Sequence, residues 1–437
     1  MRTVFLNLKS WLAQLLLLGI ASYGCYWQLM MLTEHKGKDV FQNPYHWFVA
    51  GLVCVVAALI SMRFAPKEEE NNTKPFLAPI PILFTLAAMV LCAANYTEVI
   101  AQYKMDAVSS DVLPSLKLYA TRFLSYERVY TTLVFPSHSV SPTYFPFMWL
   151  PYVLAEYWGM DYRWIPFGFI FLAIVAYLFR SKSNWKETIF TTFIVGFFAY
   201  TLRTYLRFSP EEFYMSVEMT PTALYFFMAL TIFDKRAWVV ALGLAICILS
   251  RYSLVLWVPF YGILLWRAYG FTFLRNVALI GVGLVAVFYL PFIMHDLSIP
   301  IKGFKEYATG MRNAWRMGSW QQTGELPYHI SKGIGFSHFF YEKAGHDVEL
   351  AIHWNKIAQM IAILSSLLTS GILYFFLHKK SWFNLKTFAK ASLSLYFLCF
   401  TGFIFAPYSY LFQLAFFFNF VLLFEIVSPS KKQEKID

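Results

Sequence analysis

The chain has 437 residues, of which 58% are hydrophobic and 14% are charged. A soluble domain carries about 25% charged residues, so this composition excludes a soluble globular protein. The formal net charge of +11 does not indicate nucleic-acid binding, because the lysines and arginines fall in short clusters between long apolar runs. All five cysteines lie inside apolar runs, where they act as small hydrophobic residues and offer no disulfide framework or zinc motif.

Apolar runs of membrane-spanning length recur along the whole chain. They predict an all-α polytopic membrane protein of about twelve transmembrane helices, with residues 1–437 forming a single integral membrane domain. The predicted spans are residues 11–32, 47–64, 77–95, 164–179, 188–206, 217–233, 238–250, 253–267, 276–294, 356–378, 388–405 and 407–427. The first run is longer than the apolar region of a signal peptide, so we expect it to be a retained helix.

Basic residues orient these helices, because lysine and arginine mark the short cytoplasmic loops of membrane proteins. The loops that we place inside, together with the N-terminus, contain Arg63, Lys67, Lys74, Arg180, Lys182, Lys186, Lys235, Arg236, Arg267, Arg275, Lys379, Lys380, Lys386, Lys390, Lys431, Lys432 and Lys435. The same alternation places two long loops outside, residues 96–163 and residues 295–355. We expect residues 96–163 to form the first large external loop, with juxtamembrane helices.

The parity of this topology depends on residues 145–158. The segment is apolar, but it is short and contains Pro146, Pro151 and Glu156. Counting it as a span would move the basic cluster after residue 179 to the outside. We therefore predict an interfacial helix within the first external loop. The aromatic residues that we expect at headgroup depth are Trp149, Tyr152, Tyr157 and Trp158.

Arg251 lies between the two shortest predicted spans, residues 238–250 and residues 253–267. Neither span is long enough to cross a hydrocarbon core of ~30 Å upright at ~1.5 Å per residue. We therefore expect Arg251 slightly below the outer membrane surface. Two interpretations are open: a buried arginine with an anionic partner at a functional site, or an arginine that reaches outward to lipid phosphate.

Two aspartates, Asp106 and Asp111, follow the third predicted span at the start of the first external loop. A carboxylate beside the membrane face can act as a general base, as a metal ligand or as a helix cap. The pattern Ser110-Asp111-Val112-Leu113-Pro114 is also typical of a helix start, with Ser110 or Asp111 as the N-cap. The spacing alone does not decide among these roles.

An ordered series of motifs runs through residues 77–295. It comprises Ser110-Asp111-Val112-Leu113-Pro114, a helix ending in Phe123-Leu124, then Tyr130, Pro142-Thr143-Tyr144-Phe145-Pro146 and Trp149-Leu150-Pro151. This series resembles the first external loop of the GT-C membrane glycosyltransferases, and it is most similar to bacterial members of glycosyltransferase family 87. The resemblance implies a GT-C-like bundle, a polyprenyl-phosphate sugar donor, a glycan, lipid or protein acceptor, and an active site on the outer face of the bacterial inner membrane.

The resemblance also implies a role for each aspartate. Asp111 matches the family's aspartate and would act as the general base in an inverting transfer. Asp106 would assist acceptor binding, or would bind a metal together with Asp111. No cofactor is implied with certainty, and a divalent metal stays an open alternative.

Arginines and tyrosines complete the implied site. Arg251 would hold the leaving phosphate, because guanidinium groups bind phosphate bidentately. Arg163 and Arg203 are secondary candidates for the same task. Tyr130 and Tyr144 would stack on the sugar or shape the pocket, although an interfacial aromatic belt also explains both residues.

The other external loops offer less specific signals. Residues 201–220 contain Glu211, Glu212 and Glu218, which we interpret as a solvated helix end with ion pairs, although the loop could also face the same cavity. Residues 295–355 contain His346, Glu349 and His353 at helical spacing, but no complete zinc motif appears there. Arginines and tryptophans in that loop suit carbohydrates and lipid headgroups, so we expect the loop to lie near the acceptor.

Two other functions are left open. A transporter or flippase of lipid-linked saccharides would share the basic outer residues, but it should carry polar residues near the middle of several spans. An oligosaccharide polymerase or ligase would depend more on arginines than on an early aspartate. The ionisable residues collect on the outer side of the predicted spans, which favours an enzyme that works at the membrane surface.

Overall fold

Helices make up almost all of the fold. The computed structural model describes residues 2–33, 44–64, 79–106, 110–136, 138–180, 185–214, 216–316, 334–405 and 408–427. In chain order the helices are α1 (Arg2–Thr33), α2 (Pro44–Phe64), α3 (Pro79–Gln102), α4 (Val112–Leu124), α5 (Pro146–Trp149), α6 (Val153–Trp158), α7 (Trp164–Arg180), α8 (Trp185–Phe208), α9 (Glu211–Tyr214), α10 (Met219–Thr231), α11 (Ala237–Ile248), α12 (Val258–Ile293), α13 (Ile299–Arg316), α14 (Ser337–Lys343), α15 (Val348–Leu377), α16 (Leu385–Gly402) and α17 (Gln413–Val427).

Short elements connect some of these helices. Single 3-10 turns lie at Leu150–Tyr152, Tyr252–Leu254 and Ser409–Phe412. Strands β1 (Leu133–Val134) and β2 (Ser139–Val140) form an antiparallel hairpin, in which Leu133 pairs with Val140. Within the described ranges this hairpin is the whole of the β-structure.

Seven of the described helices are long and apolar enough to cross a membrane. They are Ser10–Thr33, Pro44–Phe64, Pro79–Gln102, Glu187–Phe208, Val258–Ile293, Val348–Leu377 and Ser409–Val427. Three shorter apolar helices cover Trp164–Phe179, Met219–Thr231 and Ala237–Ile248. The prediction of an all-α, multi-pass membrane protein is therefore confirmed, whereas the number of about twelve crossings stays a prediction.

The break between two predicted spans is present in the structure. Residues 253–267 and 276–294 were expected to be separate helices joined by a basic turn. Helix α12, from Val258 to Ile293, is divided into two segments by a kink at Gly270, whose backbone is not helical, with φ 82° and ψ 171°. Residues with a Cβ atom rarely adopt this backbone conformation, so glycine is favoured at position 270. Arg267 and Arg275 consequently lie in helical segments on either side of a one-residue kink, and not in a loop.

Helix α17 lies at the centre of the bundle, and each of its residues is buried. It packs against α1, α2, α8, α10 and α16. Such a position suits a helix that is apolar on every side. A second correction concerns Lys390, which was expected in a cytoplasmic loop. It lies inside α16, where its buried ammonium group forms an ion pair with Glu425 of α17.

The first external loop folds into a small core of its own, apart from the main core of the bundle. The segment predicted as one interfacial helix consists of α5, a 3-10 turn and α6, because Pro151 interrupts it. Trp149 and Tyr152 are fully buried in the loop core, so they do not lie against lipid headgroups as expected. Tyr157 and Trp158 are exposed, as an aromatic belt requires.

Helix α13 packs on the first external loop. A Cβ atom placed on Gly303 of α13 would lie 2.7 Å from the carbonyl oxygen of Pro142, which shows how closely the two backbones approach. The backbone N–H of Ser141 donates to Glu306 Oε1 at 2.8 Å. The ring of His295, just before α13, lies 3.1 Å from the carbonyl oxygen of Tyr130. The described residues of 96–163 therefore contact those of 295–316.

Candidate active site

A cavity of about 170 Å³ lies where the two external loops meet the ends of the central helices. Its walls come from the loop before α5, the start of α10, the turn after α11, the end of α12, and helices α13, α16 and α17. Aromatic rings form much of its surface. The tyrosines among the lining residues are Tyr144, Tyr252, Tyr289, Tyr307 and Tyr410. Of the described residues that line it, Glu218 and Arg251 are the charged ones.

Arg251 lines the cavity from the turn between α11 and α12. The backbone of Arg251 is extended, with φ −147° and ψ 132°, and a 3-10 turn follows at Tyr252–Leu254. Its guanidinium forms an ion pair with the carboxylate of Glu218 through Nη2. Its Nε atom is buried and has no hydrogen-bond partner among the described residues. The arginine thus has an anionic partner inside the protein, the first of the two interpretations that the sequence left open.

Glu218 is a site residue that sequence reasoning missed. We expected it at a solvated helix end, but its side chain is 4% exposed and lines the cavity. It precedes α10 and makes no side-chain cap to that helix. No local pattern separates it from Glu211 and Glu212, because its partner is the distant Arg251.

Asp111 lies at the N-cap position of α4, but its side chain makes no capping hydrogen bond. The hydroxyl of Ser110 takes that role by accepting from the backbone N–H of Val112 at 3.3 Å. The Asp111 carboxylate is 39% exposed, and its Oδ2 lies 3.5 Å from Nε2 of His138 on the β1–β2 hairpin. The next residue, Val112, lines the cavity. Asp111 itself is not among the residues that line the cavity; it directly precedes one of them, and its side chain does not cap α4.

The charges of Asp111 and Arg251 both affect the pKa of the Tyr144 phenol. Burial raises the pKa of the Tyr144 phenol well above its usual range, the Asp111 carboxylate raises the pKa further, and the Arg251 guanidinium lowers it in part. One cavity-lining phenol therefore lies within electrostatic reach of Asp111 and of Arg251. Tyr144 and Arg251 line the cavity, and Asp111 directly precedes the lining residue Val112.

Two of the predicted residues support the surrounding structure. Tyr130 is 2% exposed; its hydroxyl donates to the Tyr144 carbonyl oxygen at 2.7 Å and accepts from the Trp149 indole at 3.1 Å. Arg163 is 3% exposed, and its guanidinium binds Asp161 and the carbonyl oxygens of Ile100 and Tyr103. Neither residue is among those that line the cavity.

The other two predicted residues lie outside the cavity lining. Arg203 is exposed on α8, and Asp106 is exposed just after α3. The backbone carbonyl of Asp106 accepts from the Ser110 N–H at 3.3 Å, so Asp106 is near the start of α4 but is not shown at the cavity. Within residues 295–355, His346 contacts Glu342, and Glu349 pairs with Arg312. Among the residues that the structure describes, no group of three or more potential metal ligands occurs.

Comparison with known proteins adds no relatives: no family model, no curated protein and no solved structure matches the chain.

Proposed function

We propose that the protein is a membrane glycosyltransferase. It transfers a sugar, with inversion, from a polyprenyl-phosphate donor to a glycan, lipid or protein acceptor on the outer face of a bacterial inner membrane. The observation that carries this proposal is that Arg251 and Val112, the residue directly after Asp111, line one cavity, although Asp111 and Arg251 are 140 positions apart in the sequence. The loop pattern that resembles GT-C enzymes provides the independent sequence argument.

The two charged groups suit the two ends of a glycosyl transfer. The acceptor hydroxyl must lose a proton as it attacks the anomeric carbon, and a solvent-accessible carboxylate such as Asp111 can accept that proton. Phosphate gains negative charge as it leaves, and a partly desolvated guanidinium such as Arg251 stabilises that charge. Tyr144 lines the same cavity as Arg251 and would shape the space in which the sugar sits.

The surroundings of the cavity suit a lipid-linked donor. Phe304 lines the cavity and is also 61% exposed, so its ring is shared between the cavity and the outer surface. Residues Leu297 and Ile301 continue this apolar surface along the start of α13. Tyr289 lines the cavity from the end of α12, whose neighbouring side chains Val287 and Leu290 are exposed. An isoprenoid chain could therefore lie against α12 and α13 while its headgroup enters the cavity.

We also propose the topology that the basic residues indicate. The seven long and three shorter apolar helices, with α12 counted as two crossings at Gly270 and α16 added, give the twelve predicted spans. In this topology α5 and α6 lie at the outer membrane surface and do not cross it. Each has at most six residues, far fewer than the ~20 that a crossing requires.

A transporter or flippase of lipid-linked saccharides is the second candidate, because polar side chains meet in the middle of the bundle. Asn419 of α17 donates to Gln28 of α1 at 2.7 Å and accepts from Ser394 of α16 at 3.0 Å. These groups are buried and bonded to one another, as interhelical contacts in membranes are. They are not among the residues that line the cavity, which favours the enzyme.

A reconstitution experiment separates the two candidates. The full-length protein is placed in liposomes with a radiolabelled polyprenyl-phosphate sugar and with acceptors extracted from bacterial envelopes. A glycosyltransferase releases polyprenyl phosphate and moves the label to the acceptor. A transporter moves the intact lipid between leaflets without cleaving it. Translocation without any release of polyprenyl phosphate, over a panel of sugars, would contradict the proposed activity.

A further inference from the structure

The carboxylate of Glu218 is bound to the guanidinium of Arg251, which the proposed reaction needs for phosphate binding. The two side chains form an ion pair, and both line the cavity. Glu218 is 4% exposed and Arg251 is 24% exposed, so the pair is largely withdrawn from water. The pair is electrically neutral as a whole. A phosphate group that enters the cavity must therefore compete with Glu218 for the same donors.

Helix formation does not explain the position of this carboxylate. Glu218 precedes α10, and its carbonyl oxygen accepts from the N–H and hydroxyl of Thr222. Its side chain makes no capping bond to the helix and turns to Arg251 instead. The buried Nε of Arg251 has no partner among the described residues, so the guanidinium is incompletely satisfied by Glu218. An unsatisfied buried donor costs free energy that a better acceptor can recover.

We infer that Glu218 is an internal counter-ion, which holds Arg251 until a phosphate monoester or diester takes its place and which helps to expel the phosphate after transfer. This inference rests on the proposed phosphate-binding role of Arg251. Removal of one member of a buried ion pair leaves the other charge uncompensated. Without Glu218, the cavity would carry the full positive charge of Arg251 and would hold an anion more tightly.

The direction in which phosphate affinity changes distinguishes a competing counter-ion from a residue that only holds Arg251 in position. If Glu218 competes with the phosphate, Glu218→Gln strengthens phosphate binding. If Glu218 only holds Arg251 in place, the same substitution weakens binding. Kinetic constants separate the two in the same way: if Glu218 competes, Glu218→Gln lowers the donor KM, and it also lowers kcat because the phosphate product leaves slowly.

The test measures binding of farnesyl phosphate to the full-length protein in lipid nanodiscs by calorimetry. We expect Glu218→Gln to bind on the order of tenfold more tightly than the wild type, and Glu218→Asp to return towards wild-type affinity because it restores the charge. Arg251→Ala should abolish the gain when combined with Glu218→Gln. Unchanged or weaker binding by Glu218→Gln, or a gain that persists without Arg251, would overturn the inference.

Probes and a control variant identify the source of the effect. Glu425→Gln removes another buried, paired carboxylate, which lies eleven positions beyond the cavity-lining Leu414 on α17, and it should leave affinity unchanged. A gain with inorganic phosphate but none with farnesyl phosphate would contradict binding of a lipid headgroup, and a gain with the neutral alcohol farnesol would contradict an electrostatic cause. The binding result does not depend on sugar transfer, so tighter binding without any transfer would refute the proposed activity and leave the counter-ion intact.

Discussion

Glu306 accepts a hydrogen bond from the backbone N–H of Ser141 at 2.8 Å, although 165 positions separate the two residues. This contact joins α13 to residues 96–163, two positions before the cavity-lining Thr143. Gly303 lies one helical turn earlier on α13 and faces the Pro142 carbonyl oxygen. The position of α13 therefore fixes one wall of the cavity.

Gly303→Ala should disturb that wall. The added Cβ would lie 2.7 Å from the carbonyl oxygen of Pro142, so a backbone must move. Relative to Gly310→Ala on the same helix, where the new methyl group would have no neighbour within 4 Å, we expect a loss of about 1–3 kcal/mol in the free energy of unfolding. Thermal unfolding of both variants in detergent measures this difference. Equal melting temperatures would show that α13 does not pack as described.

Arg163→Ala should reduce the stability of the protein without changing its affinity for the sugar donor. The substitution removes the bidentate contact with Asp161 and two hydrogen bonds to α3 and the residue that follows it. A loss of about 2–4 kcal/mol is expected, because the remaining groups are left partly buried and unpaired. The affinity of the folded protein for a polyprenyl-phosphate sugar should stay at the wild-type value. A large loss of affinity with normal stability would restore Arg163 as a phosphate ligand.

The ion pair of Asp161 with Arg163 makes the stability of the protein depend on pH. Burial alone would raise the pKa of Asp161, but its hydrogen bonds to Arg163 and the Arg163 charge outweigh burial and lower the pKa. A carboxyl group whose pKa is lowered on folding stabilises the protein above its unfolded pKa, and this stabilisation is lost as the pH falls through the folded pKa. The loss of unfolding free energy caused by Arg163→Ala should therefore be largest at neutral pH and should decrease as the pH falls and Asp161 becomes protonated.

Arg251→Ala should weaken binding of the lipid donor by about 10–100-fold, because it removes the charged donor that lines the cavity. Arg251→Lys keeps the charge but loses the planar fork, so its affinity should lie between those of the wild type and the alanine variant. Arg203→Ala, at an exposed position outside the cavity lining, is the matched control. Donor affinity that is the same in all three variants would exclude a phosphate site at Arg251.

Cysteine labelling tests the proposed topology. The native cysteines are all buried, so background labelling should be low. Ser125, after α4, and Ser381, after α15, are both exposed. In intact cells an impermeant thiol reagent should label Ser125→Cys and should not label Ser381→Cys. Labelling of Ser381→Cys would mean that α5 and α6 belong to a true membrane crossing and that every later loop is inverted.

The sequence predicts the helices well, because the length and apolarity of a span are local properties. Each predicted span falls largely on a helix in the described ranges, and the short hairpin around Arg251 is present. The predicted break between residues 267 and 276 is present, but it is a one-residue kink at Gly270 and not a loop. The charge pair Arg267 and Arg275 indicates a break, whereas the position of a single kinked glycine gives no comparable signal.

Contacts between distant segments account for the other errors. The buried Glu218 pairs with Arg251, which is 33 positions away, and the guanidinium of Arg163 is occupied by the end of α3 and by Asp161. Trp149 and Tyr152 have the composition of an interfacial belt, but the loop has a core of its own that buries them. None of these features follows from spacing along the chain.

The most direct measurement compares sugar transfer and donor binding in the wild type and in Asp111→Asn. The amide cannot accept the acceptor proton, but it has nearly the same shape as the carboxylate, and position 111 is not among the residues that line the cavity with Arg251. We expect transfer to fall by about 100–10,000-fold while donor affinity stays near the wild-type value, and Glu127→Gln, an exposed carboxylate of the same loop, should retain full activity. Near-normal transfer by Asp111→Asn would contradict the assignment of Asp111 as the general base.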